Sequence, residues 1–177
     1  AVYVGENGIA RACRGDTQTA RAMILHELAH VADFSKQTLD VKEAERNHRP
    51  WDVMPASKSL SEGWADYWAM RTPGIMQDFL GKEPPAKLQA LGAPAILRCS
   101  VVVGQVLTDL AALHPGRAAL HEAMRSAWKT PDPTLAHVLG AYLRANPGLT
   151  MPVAESLARR TAGQGTPVDY LLLARGL

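Results

Sequence analysis

The sequence predicts a mainly α-helical domain of the α+β class, with a small amount of β-structure at its beginning. Apolar residues make up 47% of the 177 residues, which is enough for one buried core in a chain of single-domain length. After residue 16 the apolar residues follow helical patterns, and Pro or Gly marks the boundaries between them. Residues 1–15 instead alternate between apolar and polar positions, which is typical of strands.

The N-terminal segment contains two short alternating runs, Val2–Val4 and Ile9–Cys13, separated by Gly5-Glu6-Asn7-Gly8. Glycine and asparagine in the connection favour a tight turn between them. We therefore expect a small β-hairpin or two edge strands in this segment.

A helix is predicted to follow, with Asp16 or Thr17 as its N-cap and its end near Phe34. Both cap candidates carry a side-chain oxygen that can accept a hydrogen bond from a free backbone N–H of the first turn. The apolar side of this helix is predicted to include Met23, Ile24, Leu28 and Val31.

Residues 35–58 are polar and irregular, which predicts a long loop, and long loops in compact domains are often functional. A second helix is predicted to begin with a cap at Ser59 or Ser61 and to end near Thr72. Further helical patterns span residues 95–113, 117–129, 134–145 and 152–163, with a short one near 169–175.

The overall composition excludes several classes of function. The net charge is +2 and no basic stripe interleaved with aromatic residues appears, so we expect no nucleic-acid partner. No run of about 18 apolar residues is present, so we expect no membrane-spanning segment. The chain lacks a starting Met, and we expect a mature form or a domain cut from a longer protein. Cys13 and Cys99 could form a disulfide or remain free thiols.

The most informative motif is His26-Glu27-Leu28-Ala29-His30, an HExxH pattern inside the first predicted helix. Residues four apart lie only about 40° from each other around a helix, so both imidazoles leave the same face. Two neutral imidazoles there can bind one divalent metal, and Glu27 can reach a water on that metal. This spacing predicts a hydrolytic zinc site.

Catalytic zinc usually has three protein ligands, so a third is required. Glu62 is the preferred candidate, because Asp66 follows one helical turn later and can accept the second ring proton of a ligand histidine. Glu43 and Glu45 remain rival third ligands.

The pairing of HExxH with the later string Glu62-Gly63-Trp64-Ala65-Asp66-Tyr67 resembles the gluzincin clan of metallopeptidases, which includes the thermolysin-like enzymes. The resemblance is clear over residues 16–72 and weak to about residue 113. It implies a zincin-like single domain, with zinc bound by His26, His30 and Glu62, Glu27 as general base and Asp66 orienting a histidine. Residues 1–15 would then be a remnant of the substrate-binding sheet, residues 16–72 the zinc-site helices, and residues 73–177 a helical lobe.

The chain departs from that clan in two ways. The clan usually places an oxyanion-stabilising histidine shortly before the glycine that corresponds to Gly104, where this chain has Ser100 and Val101. The clan also carries a larger upstream sheet, so an upstream segment or another chain could complete the N-terminal lobe. The candidate replacement donors for the oxyanion are Tyr67, Arg98, Ser100 and His121.

The leading hypothesis is therefore a zinc-dependent metallopeptidase, by resemblance an endopeptidase, that acts on peptide or protein substrates. One alternative is a degenerate gluzincin-like module that binds metal or a protein without catalysis. Another is a helical interaction domain in which HExxH is fortuitous. Many members of the clan act outside the cytoplasm, so a secreted or periplasmic location is compatible with the resemblance, although no residue here requires it.

Overall fold

The structure is a computed structural model that describes residues 16–34, 49–73, 77–166, 168–170 and 172, with only the backbone described at 32–34. This part of the chain is 71% helical, which confirms the prediction of a mainly α fold. The predicted N-terminal β-hairpin lies outside the described residues. Within the described ranges, the strand-like pairing is one antiparallel bridge between Val53 and Cys99.

The α-helices are numbered here in chain order. They are α1 (Thr17–Phe34), α2 (Ala56–Met70), α3 (Ala86–Gln89), α4 (Ala93–Ile96), α5 (Ser100–Ala112), α6 (Arg117–Ala127), α7 (Leu135–Ala145) and α8 (Thr150–Arg160). Gln77–Gly81 and Pro147–Leu149 form 3₁₀ helices. No helix in the described ranges combines the length and apolar character needed to cross a membrane.

Asp16 caps α1, because its Oδ1 accepts the backbone N–H of Gln18 at 2.9 Å. The side-chain hydrogen bond from Thr19, followed by that from the Gln18 backbone, lowers the pKa of Asp16. The prediction for the apolar side of this helix was wrong in part. Ile24, Leu28 and Val31 are 38%, 51% and 49% exposed, because α1 turns the opposite face, which carries both histidines, toward α2.

Helix α2 begins at Ala56 and not at the predicted Ser59 or Ser61 cap. Pro55 occupies the N-cap position in an extended conformation (φ −51°, ψ 144°) without a side-chain cap. The Ser59 hydroxyl lies inside the first turn and donates to the carbonyl of Ala56 at 2.9 Å. Glu62 therefore lies nearly two turns inside the helix, where the backbone that carries it is fully hydrogen-bonded.

The single helix predicted over 95–113 is divided into α4 and α5. Cys99 takes an extended conformation (φ −98°, ψ 130°) and pairs with Val53. Next to it, the Met54 N–H donates to the Arg98 carbonyl at 3.0 Å. This pairing fixes the loop before α2 to the start of α5.

The later predicted helices are confirmed as α6, α7 and α8, with shifts of a few residues at their ends. Thr134 caps α7 in a reciprocal arrangement with His137. The short helix predicted near 169–175 is helical at 168–170 and 172, and its other residues lie outside the described residues.

Helix α2 occupies the centre of the fold, between α1 and α5. Its contact with α5 is unusually close, because a Cβ added to Gly63 would lie 2.4 Å from Cγ1 of Val103. A Cβ added to Gly104 would likewise lie 3.0 Å from the Cβ of Asp66. Glycine at both positions therefore lets the two backbones approach and fixes α2 on the core that lies beyond it.

Candidate metal centre

Helix α1 presents His26 and His30 on the face that packs against α2. Their Nε2 atoms lie 3.3 Å apart, and the two rings meet edge to face. Both side chains are mostly buried, whereas Leu28, about 160° away around the helix from His26, is exposed. The HExxH spacing therefore gives the common histidine face that the sequence predicts.

Helix α2 brings the predicted third ligand to the same point. The Oε2 atom of Glu62 lies 3.3 Å from Nε2 of His26 and 3.3 Å from Nε2 of His30. One nitrogen from each imidazole and one carboxylate oxygen thus form a nearly equilateral triangle. The rival third ligands Glu43 and Glu45 lie outside the described residues.

The size of this triangle fits a tetrahedral zinc ion. Zinc bonds of about 2.0–2.2 Å at tetrahedral angles place neighbouring ligand atoms about 3.3–3.6 Å apart. An octahedral magnesium ion, with bonds of about 2.0–2.1 Å, would require about 2.9 Å and prefers oxygen ligands. The three separations of 3.3 Å and the two nitrogen donors therefore favour zinc, with a fourth position left for water.

Asp66 orients His26 by contacting the ring nitrogen that does not face Glu62. Its Oδ1 lies 3.1 Å from Nδ1 of His26, a distance at which the ring Nδ1–H donates to the carboxylate, while Nε2 faces Glu62. Asp66 is buried, and the missing Cβ of Gly104 provides the space for it against α5. Gly104 is not among the predicted site residues, although a glycine among valines within an apolar helix is a signal of close backbone approach.

The electrostatics of the cluster favour a positive charge. Burial alone would lower the pKa of His26, but hydrogen bonds and charge interactions with Asp66 and Glu62 outweigh it and raise that pKa to about 10. Two largely buried carboxylates therefore stabilise one added cation between the helices. A proton on His26 and a metal ion bound to its Nε2 meet the same electrostatic demand.

Glu27 follows His26 on α1 and is half-buried. Consecutive helical residues are separated by about 100°, so Glu27 lies at the edge of the histidine face and not within the triangle. This is the position expected of a carboxylate that contacts a water in the open fourth position and leaves the metal to the other ligands.

Two of the four candidate oxyanion donors are buried inside the protein. Tyr67 stacks on Trp64, and its hydroxyl accepts a hydrogen bond from Arg71 at 3.3 Å. Ser100 is 1% exposed at the start of α5, where its carbonyl lies 3.0 Å from the Cβ position of Gly63. Neither side chain is open to a substrate, and we do not retain them as donors.

The other two candidates lie away from the triangle. Arg98 donates through Nε to the carbonyl of Met54 at 2.6 Å and lines a separate apolar cavity. His121 packs edge to face on Trp64 and Trp68, which lie on the part of α2 turned away from Asp66. The described residues therefore supply no oxyanion donor from this set.

Cys99 is a free, buried thiol, and Cys13, its alternative disulfide partner, lies outside the described residues. Burial, aided by the charge of Asp52 and opposed by that of Arg98, raises the pKa of Cys99 to about 12. A thiol with such a pKa is neither a nucleophile nor a ready metal ligand near neutral pH.

Comparisons with protein-family models, with curated proteins and with solved structures each give no match to this chain. The chemistry of the site therefore follows from its own residues and distances. They bring two imidazole nitrogens and one carboxylate oxygen together in a group that could hold a metal ion.

Proposed function

We propose that this chain is a zinc-dependent metallopeptidase with a zincin-like catalytic domain of the gluzincin type. The observation that carries the proposal is the triangle of His26, His30 and Glu62 donor atoms, whose 3.3 Å edges match a tetrahedral zinc site. Asp66 on the far side of His26 adds the carboxylate that such a ligand requires for its orientation.

A zinc ion held by these ligands would act as a Lewis acid and lower the pKa of a bound water toward about 7. Glu27 is the general base in this proposal. Its carboxylate takes a proton from water as the water oxygen bonds to the carbonyl carbon of the scissile peptide. The C–N bond then breaks, the proton passes from Glu27 to the leaving amine, and the Glu27 carboxylate is restored.

Hydrolysis of peptides, in preference to other carbonyl compounds, is supported by the sequence pattern. HExxH combined with Glu62-Gly63-x-Ala65-Asp66-Tyr67 is the pattern of gluzincin peptidases, and it covers residues 16–72. The close contact between Gly63 and Val103 gives that pattern a physical reason, because a larger residue there would displace Glu62 and Asp66.

The test is to measure zinc content and peptide cleavage in the purified chain and in Glu27→Gln. We expect close to one zinc per chain in both proteins, and a loss of cleavage rate of about 10²–10⁴-fold in the variant. A fluorescence-quenched library of random peptides reports cleavage whatever side chains the enzyme prefers. Glu155→Gln, the same change at an exposed position of α8, is the matched control and should retain full activity.

A second candidate is a metal-binding module without catalysis. It is favoured by one observation, that Tyr67, Arg98, Ser100 and His121 provide no oxyanion donor at the triangle. Loss of one such donor typically costs about 10²–10³ in rate. Zinc at one equivalent together with no chelator-sensitive cleavage of the library would favour this candidate over the peptidase.

A further inference from the structure

A second site of distinct chemistry lies at the other end of α2, where it meets α6. It is an open cleft of about 680 Å³, which we call the basic cleft. Its principal lining residues are Trp68, Arg71, Pro115, Arg117, Glu122 and Arg125. Arg71 is nine residues after Glu62, so it lies about 180° around α2 from that ligand and about 13 Å along the helix.

The basic cleft carries uncompensated positive charge. Arg125 is paired with Glu122, and both side chains are largely exposed. Arg71 and Arg117 form no ion pair with a carboxylate anywhere in the described ranges. The internal pair neutralises one arginine, and two guanidinium groups remain available to an anionic ligand.

Arg71 is held in position before any ligand arrives. Its guanidinium carbon lies 4.9 Å from the centre of the Trp68 ring and 5.5 Å from that of Tyr67. One of its N–H groups donates to the Tyr67 hydroxyl at 3.3 Å. These contacts fix the plane of the guanidinium and leave further N–H donors for a carboxylate, so that little side-chain entropy is lost on binding.

Apart from His121, the remaining walls of the basic cleft are apolar. Trp68 and Pro115 form one part, and Ala118 and Ala119 in the first turn of α6 form another. A bare inorganic anion gains nothing from such walls, whereas a peptide that carries both apolar and acidic side chains can use the walls and the arginines. The positive end of α6, which has no side-chain cap, adds to the favourable potential.

We propose that the basic cleft is a docking site for an acidic, partly apolar peptide segment of a partner protein. The carboxylates of that segment pair with Arg71 and Arg117, and its apolar side chains contact Trp68 and Pro115. The site does not depend on the proposed peptidase activity, because it shares no residue with the metal centre.

The experiment measures binding of a fluorescein-labelled peptide of alternating Glu and Leu to the full chain by fluorescence anisotropy. The chain carries Glu27→Gln so that the peptide stays intact. We expect saturable binding that weakens as salt is raised, and much weaker binding of the matching Lys and Leu peptide. Equal binding of the two peptides would overturn the proposal.

Variants of the two arginines test whether the peptide binds in the basic cleft. Arg117 is exposed and its side chain has no hydrogen bond within the described residues, so Arg117→Gln leaves the fold intact and should weaken binding about three- to fivefold. Adding Arg71→Gln should bring the loss to about tenfold or more. Arg144→Gln, an exposed arginine of α7 outside the cleft, should change nothing. Unchanged affinity in Arg117→Gln and in the double variant would refute the proposed location.

The final measurement is competition between the labelled peptide and inorganic phosphate. If the cleft recognises a peptide, millimolar phosphate should reduce binding no more than the same ionic strength of sodium chloride does. Displacement by phosphate well beyond that salt effect would mean that the cleft takes a bare anion, and the peptide proposal would then be wrong.

Discussion

Two clusters of charged groups join helices in this molecule, and they differ in the chemistry of the atoms that meet. At the α5–α8 contact, Asp109 accepts from Arg160 at both carboxylate oxygens, with further hydrogen bonds to Oδ2 from Ser156 and Arg159. At the α1–α2 contact, Glu62 faces the Nε2 atoms of His26 and His30, and all three atoms can act as acceptors.

The difference separates a structural cluster from a candidate binding site. Around Asp109, donors match acceptors, and the pKa of Asp109 is lowered although burial opposes this, because Arg160, Ser156 and Arg159 donate to it. Around Glu62, the Nε2 atoms of two imidazoles converge on one carboxylate oxygen, and the raised pKa of His26 shows that this arrangement favours an added cation.

The largest effect should come from removing one corner of the triangle. His30→Ala should weaken zinc binding about 10²–10³-fold, since roughly 10–16 kcal/mol of zinc binding is shared among four coordination positions. Competition with a chromogenic chelator measures the affinity.

Asp109→Asn is the matched control for this measurement, because it alters the other charged cluster. It should leave the zinc affinity unchanged. Equal affinities in the original chain and His30→Ala would remove the basis for distinguishing the two clusters.

The next prediction concerns the cluster around Asp109. Arg160→Ala leaves Asp109 without its bidentate partner, and we expect the free energy of unfolding to fall by about 3 kcal/mol. Urea denaturation measures the change.

Arg159 contacts the same carboxylate but is 63% exposed, compared with 15% for Arg160. Arg159→Ala should therefore cost about 1 kcal/mol or less. Similar losses from both variants would show that burial does not set the strength of this cluster.

The sequence was sufficient to predict the helical class, most of the helices and the shared face of His26 and His30, because each depends on local periodicity, whereas the prediction of Glu62 rested on the later motif that it forms with Asp66. It was not sufficient for features that depend on contacts between distant segments. Cys99 pairs with Val53 between α4 and α5, and α2 begins at Ala56, so that Glu62 lies in the interior of the helix and not at its beginning. The exposure of Leu28 also could not be predicted, since apolar residues lie on both faces of α1 and packing decides which face is buried.

A smaller effect should follow from Asp66→Asn. The amide can still occupy the space beside Gly104, but it loses the charge that favours the Nδ1–H form of His26. Zinc affinity should fall about 10–100-fold, less than for His30→Ala. The same chelator competition measures it, with Asp132→Asn at an exposed position as the control. A loss as large as that of His30→Ala would instead assign Asp66 a direct bond to the metal.

The smallest effect is a dependence of stability on pH that arises from the cluster around Asp109. The folded-state pKa of Asp109 lies below its ordinary value of 3.8, so its contribution to stability is complete above that value and is lost as pH falls through the folded pKa. The difference in free energy of unfolding between the original chain and Asp109→Asn should therefore be constant above about pH 5 and should shrink below about pH 4. Urea denaturation of both proteins in the same buffers cancels the contributions of all other carboxyl groups, including the exposed Asp16. A difference that stays constant down to about pH 2.5 would mean that Asp109 is not held ionised by its arginines, and the contrast between the two clusters would lose its electrostatic basis.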